Sequence, residues 1–400
     1  MDKPSALPRK LLILPGYCDS LGGTMVTLEA ILTGFRAVRA EGRLCVLVRA
    51  GSFMEQYLRD RGHTCIVALP SADQPRFWLD ALGWAMAQPS DHPLLLEHWV
   101  DRRMLPLLAS VALRLRLSGR LVLHSCHDLA LSFQPLGFWA RRLTFALLAP
   151  RVICNSLYTA KHVRVLMPRI EGILHPPIDT ERFSCRPVPV VPPELLPILR
   201  PGVRLMLTPS RISSASRMND KNLRALPRVL ASLKAADRHY HGVVVGDDLS
   251  PGRVQTQLLI EQAAHEGVGD RFTVLPRTTA IERYFQCADV VVTLAPREPF
   301  GRTVAEAVAC GVPVVGSNSG GIQEILHHFA PEWTADPGDP VQVARTILTV
   351  ASDPATPERL ARGRRWVEQN CSAVHYARRL LALTNLATGE DRPVPAVTRR

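Results

Sequence analysis

Short apolar runs without strict alternation recur along the whole chain, separated by stretches with helical spacing. Each run is rich in valine, isoleucine and leucine, as parallel strands covered on both faces are. The predicted strands are Lys10–Leu14, Leu44–Val48, Thr64–Leu69, Pro93–Glu97, Leu121–His124, Arg151–Cys154, Arg204–Pro209, Gly242–Gly246, Phe272–Leu275, Val290–Leu294 and Val312–Gly316. Helical stretches such as Thr27–Arg39, Asn222–Ala235 and Thr303–Cys310 lie between them. The pattern predicts an α/β protein with two open, doubly wound parallel sheets.

A proline-rich segment separates the chain into two series of strands and helices. The segment SCRPVPVVPPELLPILRPGV carries six prolines between Pro187 and Pro201, which exclude a continuous helix or a central strand. A length of 400 residues favours two domains of about 100 to 200 residues each. We predict a first domain over residues 1–184, a linker over 185–202, a second domain over 203–371, a helix over 372–387 and a flexible tail over 388–400.

Positive charge is concentrated in the first half of the chain. The net charge is +12, and residues 1–190 hold 23 lysine and arginine residues against 15 acidic ones. A basic half is typical of a protein with an anionic partner, such as a phosphorylated ligand, a membrane surface or a nucleic acid. No basic run interleaved with aromatic residues indicates a nucleic acid, so we expect no such partner. Because arginine far outnumbers lysine, codon usage is an alternative explanation of the charge.

The cysteines and apolar runs predict a cytoplasmic protein. Nine cysteines are scattered singly, with no C-x-x-C pair, which argues for reduced thiols and against a disulfide framework or a zinc site. The first apolar run ends before Pro15 and is too short for a signal peptide. No other window reaches about 18 uninterrupted apolar residues. We expect a cytoplasmic chain that is soluble or peripheral at the inner face of the membrane.

One segment of the first half combines aromatic and basic residues in a way that suits a membrane surface. LGFWARRLTFALLAPR holds Phe138, Trp139, Arg141, Arg142, Leu143 and Phe145. Such a mixture is typical of a helix that lies in the membrane interface. A buried helix capped by arginines is the alternative.

The stretch REPFGRTVAEAVACGVPVVGSNSGG, residues 297–321, carries the clearest chemical signal. A buried strand ends at Pro296, and Thr303 and Glu306 have the spacing of a capping box at the start of a helix. The free N–H groups of such a helix start, next to Gly301, favour an anion such as a diphosphate. Glu298 has no capping role, so its carboxylate is free to accept hydrogen bonds from sugar or ribose hydroxyls.

A second glycine-rich turn follows within the same stretch. The predicted strand Val312–Gly316 leads into SNSGG, where Gly320 and Gly321 let the backbone approach a ligand closely. Two adjacent strands of an open sheet thus deliver two turns to the edge where such sheets bind ligands.

These motifs resemble those of the family-4 retaining glycosyltransferases of the GT-B fold. The run E-P-F-G-R-T-x-x-E, followed by G-V-P-V-V-G and S-G-G-I-Q-E, is similar to the donor-binding E-x7-E region of that family. The resemblance extends to GYCDSLGGTMVTLEAILTGF, HSCHDL, VICNSLYTAKHV and GILHPPIDTERF in the first half. RGRRWVEQNCSAVHYARRLLAL resembles the carboxy-terminal helices that cross back to the first domain. The fold implied is two Rossmann-like domains facing each other across a cleft.

The resemblance implies a role for each matching residue. Glu298 and the backbone of Phe300 and Gly301 would hold the donor sugar, and Glu306 would accept the ribose hydroxyls. His127, followed by Asp128, would be the active-site histidine near that sugar. The remaining donor contacts implied are Gly22 and Gly23 at the diphosphate, the N–H groups of Arg302, Thr303 and Val304 at the phosphates, and the turn of Gly320 and Gly321.

A basic pair should neutralise the departing diphosphate. Arg211 and Lys221 are the candidates, although they lie ten residues apart, which is wider than the spacing usual in the family. Arg217 is an alternative partner for Lys221. Ordinary surface charge is the competing interpretation of all three residues.

The function implied is transfer of a sugar, with retention, from a UDP- or GDP-linked donor to a glycan, lipid or small-molecule acceptor. With no D-x-D triplet in the chain, we expect no metal and no cofactor. A non-catalytic sugar-nucleotide-binding subunit of the same fold is the alternative. A nicotinamide-dependent oxidoreductase is disfavoured because the chain has no G-x-G-x-x-G fingerprint.

Overall fold

A computed structural model describes residues 8–16, 23–97, 100–130, 134–186, 190–216 and 220–387. The chain divides into two compact units. The first unit comprises the residues up to Pro177 and those from Ser372 onward, and the second unit comprises Ile178–Cys371. Each unit has a hydrophobic core of its own.

The first unit is built on a parallel sheet. Within the described residues its strands are β1 (Leu11–Leu14), β2 (Leu44–Arg49), β3 (Ile66–Leu69), β4 (Leu94–Leu96), β5 (Val122–Cys126), β6 (Arg151–Cys154) and β7 (Ile170–Ile173). The strand order is β3-β2-β1-β4-β5-β6-β7, with every neighbouring pair parallel. The order reverses between β1 and β4, so this sheet has its switch point there.

The second unit repeats the same plan. Its described strands are β8 (Arg204–Pro209), β9 (Tyr240–Val245), β10 (Phe272–Leu275), β11 (Val290–Thr293), β12 (Val314–Ser317) and β13 (Thr334–Ala335). They are all parallel and follow the order β10-β9-β8-β11-β12-β13. The switch point lies between β8 and β11.

Helices connect the strands, as right-handed crossovers between parallel strands require. In the described part of the first unit they are α1 (Gly23–Ala37), α2 (Phe53–Asp60), α3 (Gln74–Ala87), α4 (Leu105–Leu117), α5 (Pro135–Leu148) and α6 (Leu157–Val163). In the second unit they are α7 (Leu226–Ala235), α8 (Val254–His265), α9 (Ile281–Cys287), α10 (Arg302–Ala309), α11 (Gly320–Leu326), α12 (Pro340–Ser352) and α13 (Thr356–Asn370). The predicted class of two doubly wound parallel sheets is confirmed.

The chain enters the second unit earlier than the predicted linker. The change of unit falls between Pro177 and Ile178. The proline-rich segment then packs on the second core, where Leu195 and Ile198 are buried. Prolines exclude regular structure, but they do not prevent apolar side chains between them from being buried. The boundary predicted at residues 184 and 185 is therefore wrong, and residues 190–202 belong to the second unit.

The last helix, α14 (Ala373–Leu383), belongs to the first unit. It packs against α1, where Gly34 lies so close that an added Cβ would stand 2.1 Å from the Ala373 carbonyl oxygen. Tyr376, Leu380 and Leu381 of α14 are buried in the first core. None of the helices in the described ranges is long and apolar enough to span a bilayer.

Candidate active site

A cavity of about 230 Å³ lies at the carboxyl ends of β8 and β11 in the second unit. These two strands flank the switch point of the sheet, where open α/β sheets bind their ligands. The cavity is lined by Thr208, Pro209, Ser210, Arg211, Lys221, Thr293, Glu298, Gly301, Arg302 and Thr303. Six of the residues predicted for the donor site thus share one cavity, although they come from three separate parts of the sequence.

Lys221 and Glu298 form an ion pair inside this cavity. The Lys221 Nζ donates to Glu298 Oε2 at 2.6 Å, and the two side chains are 24% and 21% exposed. Arg211 is exposed and lines the same cavity. The structure therefore brings together Arg211 and Lys221 as predicted, whereas Arg217 lies outside the described residues.

The turn before α7 fixes the position of Lys221. Asp220 accepts from the Asn222 amide at 2.8 Å and from both Nη atoms of Arg224, at 2.8 and 2.9 Å. The Arg224 guanidinium lowers the pKa of Asp220 below its ordinary value. Asn222 has a left-handed backbone, with φ of 52°, and its Nδ2 donates to the Pro337 carbonyl at 2.7 Å. Lys221 is thus anchored on both sides by hydrogen bonds.

The helix start at α10 differs from the predicted capping box. Gly301 is the N-cap with φ of 103°, a conformation that glycine alone adopts readily. Helix α10 therefore begins at Arg302, and Thr303 is already helical, so its side chain does not cap. The Val304 amide donates to the Gly301 carbonyl at 2.9 Å. The amides of Arg302 and Thr303 precede that bond, in the first turn of a helix, where backbone N–H groups have no intrahelical acceptor, and both residues line the cavity.

Glu306 is held by the side chain one turn before it. Arg302 Nε donates to Glu306 Oε1 at 2.7 Å, and the Glu306 side chain is 14% exposed. Burial raises the pKa of Glu306 above its ordinary value, and the charge of Arg302 opposes that shift. The predicted contact from Glu306 back to the helix start is thus replaced by an ion pair on the helix surface.

The two glycines of the SNSGG turn allow this turn to pack against the turn that carries Glu298. Gly320 has φ of 73°, and a Cβ on it would lie 2.8 Å from the Glu298 carbonyl oxygen. A Cβ on Gly321 would lie 2.3 Å from the Phe300 carbonyl oxygen, and the Gly321 amide donates to the Glu298 carbonyl at 2.8 Å. The close approach that these glycines permit is therefore to residues 298–300. Phe300 itself is buried in the core, which fixes the turn that carries Glu298.

His127 follows β5 in the first unit, at the end of a buried strand. Its Nε2 lies 2.9 Å from Glu97 Oε1 and 3.0 Å from Ser125 Oγ. Asn155 Nδ2 donates to the His127 carbonyl at 2.9 Å. The carboxylate on the ring is thus that of Glu97, whereas the neighbouring Asp128 is exposed.

Sequence reasoning missed Glu97 and Tyr376. Glu97 is 1% exposed and follows β4 at the switch point of the first sheet. The sequence feature that could have indicated it is a carboxylate directly after the apolar run LLL. Tyr376, on α14, is buried. Burial and the charge of Glu97 raise the pKa of Tyr376, whereas a hydrogen bond with Ser125 lowers it. No local motif of the sequence indicates Tyr376.

The remaining predicted glycine contacts are only partly described. Gly23 begins α1, at the amino end of a helix that follows β1. Gly22 lies outside the described residues. A cluster of three or more histidine, cysteine, aspartate or glutamate side chains suited to a metal ion is not found in the described ranges.

The cavity lies at the switch point of a doubly wound sheet, which is where proteins of this fold class bind their ligands. Residues 205–365 match the family model of the glycosyl transferases group 1. The second unit is therefore similar to group 1 glycosyl transferases over these residues. The resemblance stated from the E-P-F-G-R-T-x-x-E run is confirmed at this level.

Particular relatives are similar over part of the chain. The 2-deoxystreptamine glucosyltransferase of Streptomyces kanamyceticus is 29% identical over 178 residues, 44% of either chain. A D-inositol 3-phosphate glycosyltransferase of Thermomonospora curvata is 30% identical over 163 residues, 40% of this chain and 36% of its own length. This chain thus spans less than half the length of these curated relatives.

Solved structures resemble the whole chain at lower identity. Anabaena HepE, crystallised in complex with UDP, is 19% identical with a TM-score of 0.72, covering 94% of this chain and 99% of its own. The sucrose-phosphate synthase of Thermosynechococcus elongatus is 18% identical with a TM-score of 0.67, covering 94% and 98%. At this identity the likeness shows the shared fold.

Proposed function

We propose that this protein is a retaining glycosyltransferase that moves a sugar from a nucleotide-diphosphate sugar to an acceptor hydroxyl. The observation that carries the proposal is the cavity at β8 and β11, where Arg211, Lys221, Glu298 and the start of α10 meet. Cations, a carboxylate and helix amides in one cavity fit a ligand with both phosphates and hydroxyls. The group 1 domain match supports the same conclusion.

The cations and helix amides stabilise the leaving group in the proposed reaction. Breaking the bond between sugar and phosphate leaves negative charge on the diphosphate. Arg211, Lys221 and the amino end of α10 supply positive charge where that charge develops. The proposal requires no metal and no cofactor, because side chains and helix amides already provide the compensating charge.

The two glutamates bind hydroxyl groups of the donor. Glu298 stands on a turn fixed by the buried Phe300 and by the Gly321 amide, so its carboxylate is well positioned for the hydroxyls of the sugar. Glu306, oriented by Arg302, accepts from the ribose hydroxyls. A carboxylate can accept two or more such bonds.

His127 keeps the role that the family resemblance implies, that of an active-site histidine for the transferred sugar. Glu97 orients its ring from a buried position at 2.9 Å and stabilises positive charge on it. Glu97 is then a positioning residue, since it acts through the imidazole.

A cytoplasmic location is part of the proposal. The eight cysteines in the described ranges are all free, and unpaired thiols persist where the compartment is reducing.

Thermal-shift measurements with a panel of UDP- and GDP-sugars test donor binding. UDP-glucose is the first donor to try, because Anabaena HepE was crystallised with it. A donor that binds the folded state raises the melting temperature in proportion to the logarithm of its concentration. We expect Lys221→Ala to lose most of that shift and the exposed Lys234→Ala to keep it. If no nucleotide sugar shifts the wild-type transition, the proposed donor site is wrong.

A further inference from the structure

Helix α5 exposes three large apolar side chains to solvent. Leu136 is 87% exposed, and Trp139 and Leu143 are each 62% exposed. Their spacing of three and four residues places them on one side of the helix. The opposite side is buried and includes Phe145, Leu148 and Arg141, whose guanidinium donates to the Val100 carbonyl. The exposed stripe is thus turned away from the core of the first unit.

A cavity of about 360 Å³ borders the same helix. Four arginines line it, Arg116, Arg142, Arg164 and Arg169, and no acidic residue does. Within the described part of the chain, none of the four forms an ion pair with a carboxylate. The Arg142 guanidinium lies 5.6 Å from the centre of the Trp139 ring, so the arginine cavity and the apolar stripe adjoin.

The surrounding sequence is almost free of negative charge. Residues 102–170 contain eleven lysine and arginine residues and one acidic residue, Asp128. Two further leucines of α4, Leu113 and Leu117, are 49% and 76% exposed. This part of the first unit is therefore both cationic and apolar at its surface.

We propose that this surface docks on an anionic lipid bilayer. Leu136, Trp139 and Leu143 would enter the membrane interface, where tryptophan and leucine are favoured. The arginines of the cavity would bind lipid phosphates, which match guanidinium geometry. Charge alone would suit any polyanion, but three exposed apolar side chains next to the arginines favour a surface with an apolar interior. The alternative of a buried helix applies to one side of α5, which holds Phe145 and Leu148, whereas the stripe on the other side is exposed.

Vesicle flotation with the full chain tests the proposal without any donor or acceptor, so its outcome does not depend on the transfer reaction. We expect binding to phosphatidylcholine vesicles that contain about one third phosphatidylglycerol, and little binding to phosphatidylcholine alone. Arg142→Gln with Arg164→Gln should weaken the partition coefficient about 25-fold, at about five-fold per charge. Trp139→Ser with Leu143→Ser should weaken it about ten-fold or more.

Matched controls come from exposed residues of the second unit. Leu258→Ser removes a leucine that is 49% exposed on α8, and Arg238→Gln with Arg345→Gln removes two exposed arginines. We expect both controls to bind like the wild type, and all variants to keep its melting temperature because the changed side chains are exposed.

Three results would overturn the proposal. One is equal binding to neutral and anionic vesicles. Another is vesicle binding that salt abolishes and the Trp139→Ser, Leu143→Ser variant retains, which would indicate a purely electrostatic polyanion surface. The third is wild-type binding to a nucleic-acid duplex as tight as to anionic vesicles.

Discussion

Glu97 is a carboxylate in a setting where a charge is costly unless it has a partner. It is 1% exposed, and His127 Nε2 lies 2.9 Å from its Oε1. Its second oxygen, Oε2, is buried without a hydrogen-bond partner in the described residues. Such a group persists when a positive partner compensates it. The contact with His127 therefore holds the imidazole ring in one orientation.

Replacing Glu97 by glutamine tests this positioning role. Glu97→Gln keeps the shape and a hydrogen bond to the ring but removes the charge. We expect kcat to fall about ten-fold or more, with little change in the KM for the donor, because Glu97 does not line the donor cavity. The control variant Glu171→Gln changes a carboxylate of an exposed ion pair and should leave kcat and KM unchanged. An unaltered kcat in Glu97→Gln would show that the contact is only structural.

Glu306 predicts a pH dependence of donor binding. Burial raises its pKa above the ordinary value of a glutamate, so the carboxylate takes up a proton at a higher pH than an exposed one. A protonated Glu306 accepts fewer hydrogen bonds from ribose hydroxyls. We expect nucleotide affinity to be full above the raised pKa and to fall as the pH drops through it. Calorimetric titration of UDP against pH should give a weaker, flatter profile for Glu306→Gln; a wild-type profile in that variant would refute the assignment.

At the residue scale, the sequence was informative where a polar residue had no structural explanation. Glu298 was found because no cap accounted for it, and it lines the cavity. The sequence does not indicate Glu97 as a site residue, because Glu97 ends the predicted strand Pro93–Glu97 and its partner His127 is 30 residues away. Long-range pairing of this kind leaves no local pattern to read.

At the scale of elements, the turns before α10 and α11 form one packed unit. Gly321 makes this possible because any side chain there would collide with the backbone of Phe300, at 2.3 Å from its carbonyl oxygen and 2.5 Å from its Cα. The backbone cannot yield as a flexible side chain could. The position of Glu298 therefore depends on a glycine 23 residues later in the chain.

A methyl group added at Gly321 should push apart the turns before α10 and α11. We expect Gly321→Ala to destabilise the second unit by about 2–4 kcal/mol through the steric clash, and to weaken donor binding because the turn of Glu298 shifts. Urea unfolding and donor titration measure the two effects. Gln323→Ala, on the same helix, is the control and should change neither. Wild-type stability in Gly321→Ala would mean that the turns are not packed as described.

The capping box illustrates what a local motif leaves undetermined. Thr303 and Glu306 have the right spacing, yet the N-cap is Gly301, with its positive φ, two residues before Thr303. Strand positions were predicted more closely, since Arg151–Cys154, Arg204–Pro209 and Phe272–Leu275 agree at both ends. Buried parallel strands carry their signal in continuous apolar runs. Helix starts depend instead on a few backbone angles, which the residue types only partly determine.

At the scale of the whole molecule, the last helix belongs to the first unit although it follows the second in sequence. Its apolar spacing predicted a helix, but the face of α1 that receives it was not visible in the sequence. Gly34 marks that face, because any side chain on it would collide with the Ala373 carbonyl. The early boundary at Pro177 has the same origin: which core a short apolar segment joins is decided by tertiary packing.

Gly34→Ala tests the attachment of α14. The added Cβ would lie 2.1 Å from the Ala373 oxygen, so we expect α14 to lift and amide exchange to rise in α14 and α1, with the second unit unaffected. Gly83→Ala, in α3, is the matched control, since nothing lies within 4 Å of the added carbon and alanine favours a helix. Equal exchange in both variants would contradict the packing of α14 on α1.

Turnover of a nucleotide sugar tests the central claim most directly. Proton NMR can follow release of the nucleotide and the anomeric form of the product when the protein is mixed with UDP- and GDP-sugars without an acceptor. The account predicts slow donor hydrolysis by the wild type, with the donor's anomeric configuration in the first-formed sugar, loss of turnover in Glu298→Ala, and normal turnover in the control Glu261→Ala. Binding without turnover of any nucleotide sugar, or undiminished turnover in Glu298→Ala, would contradict it.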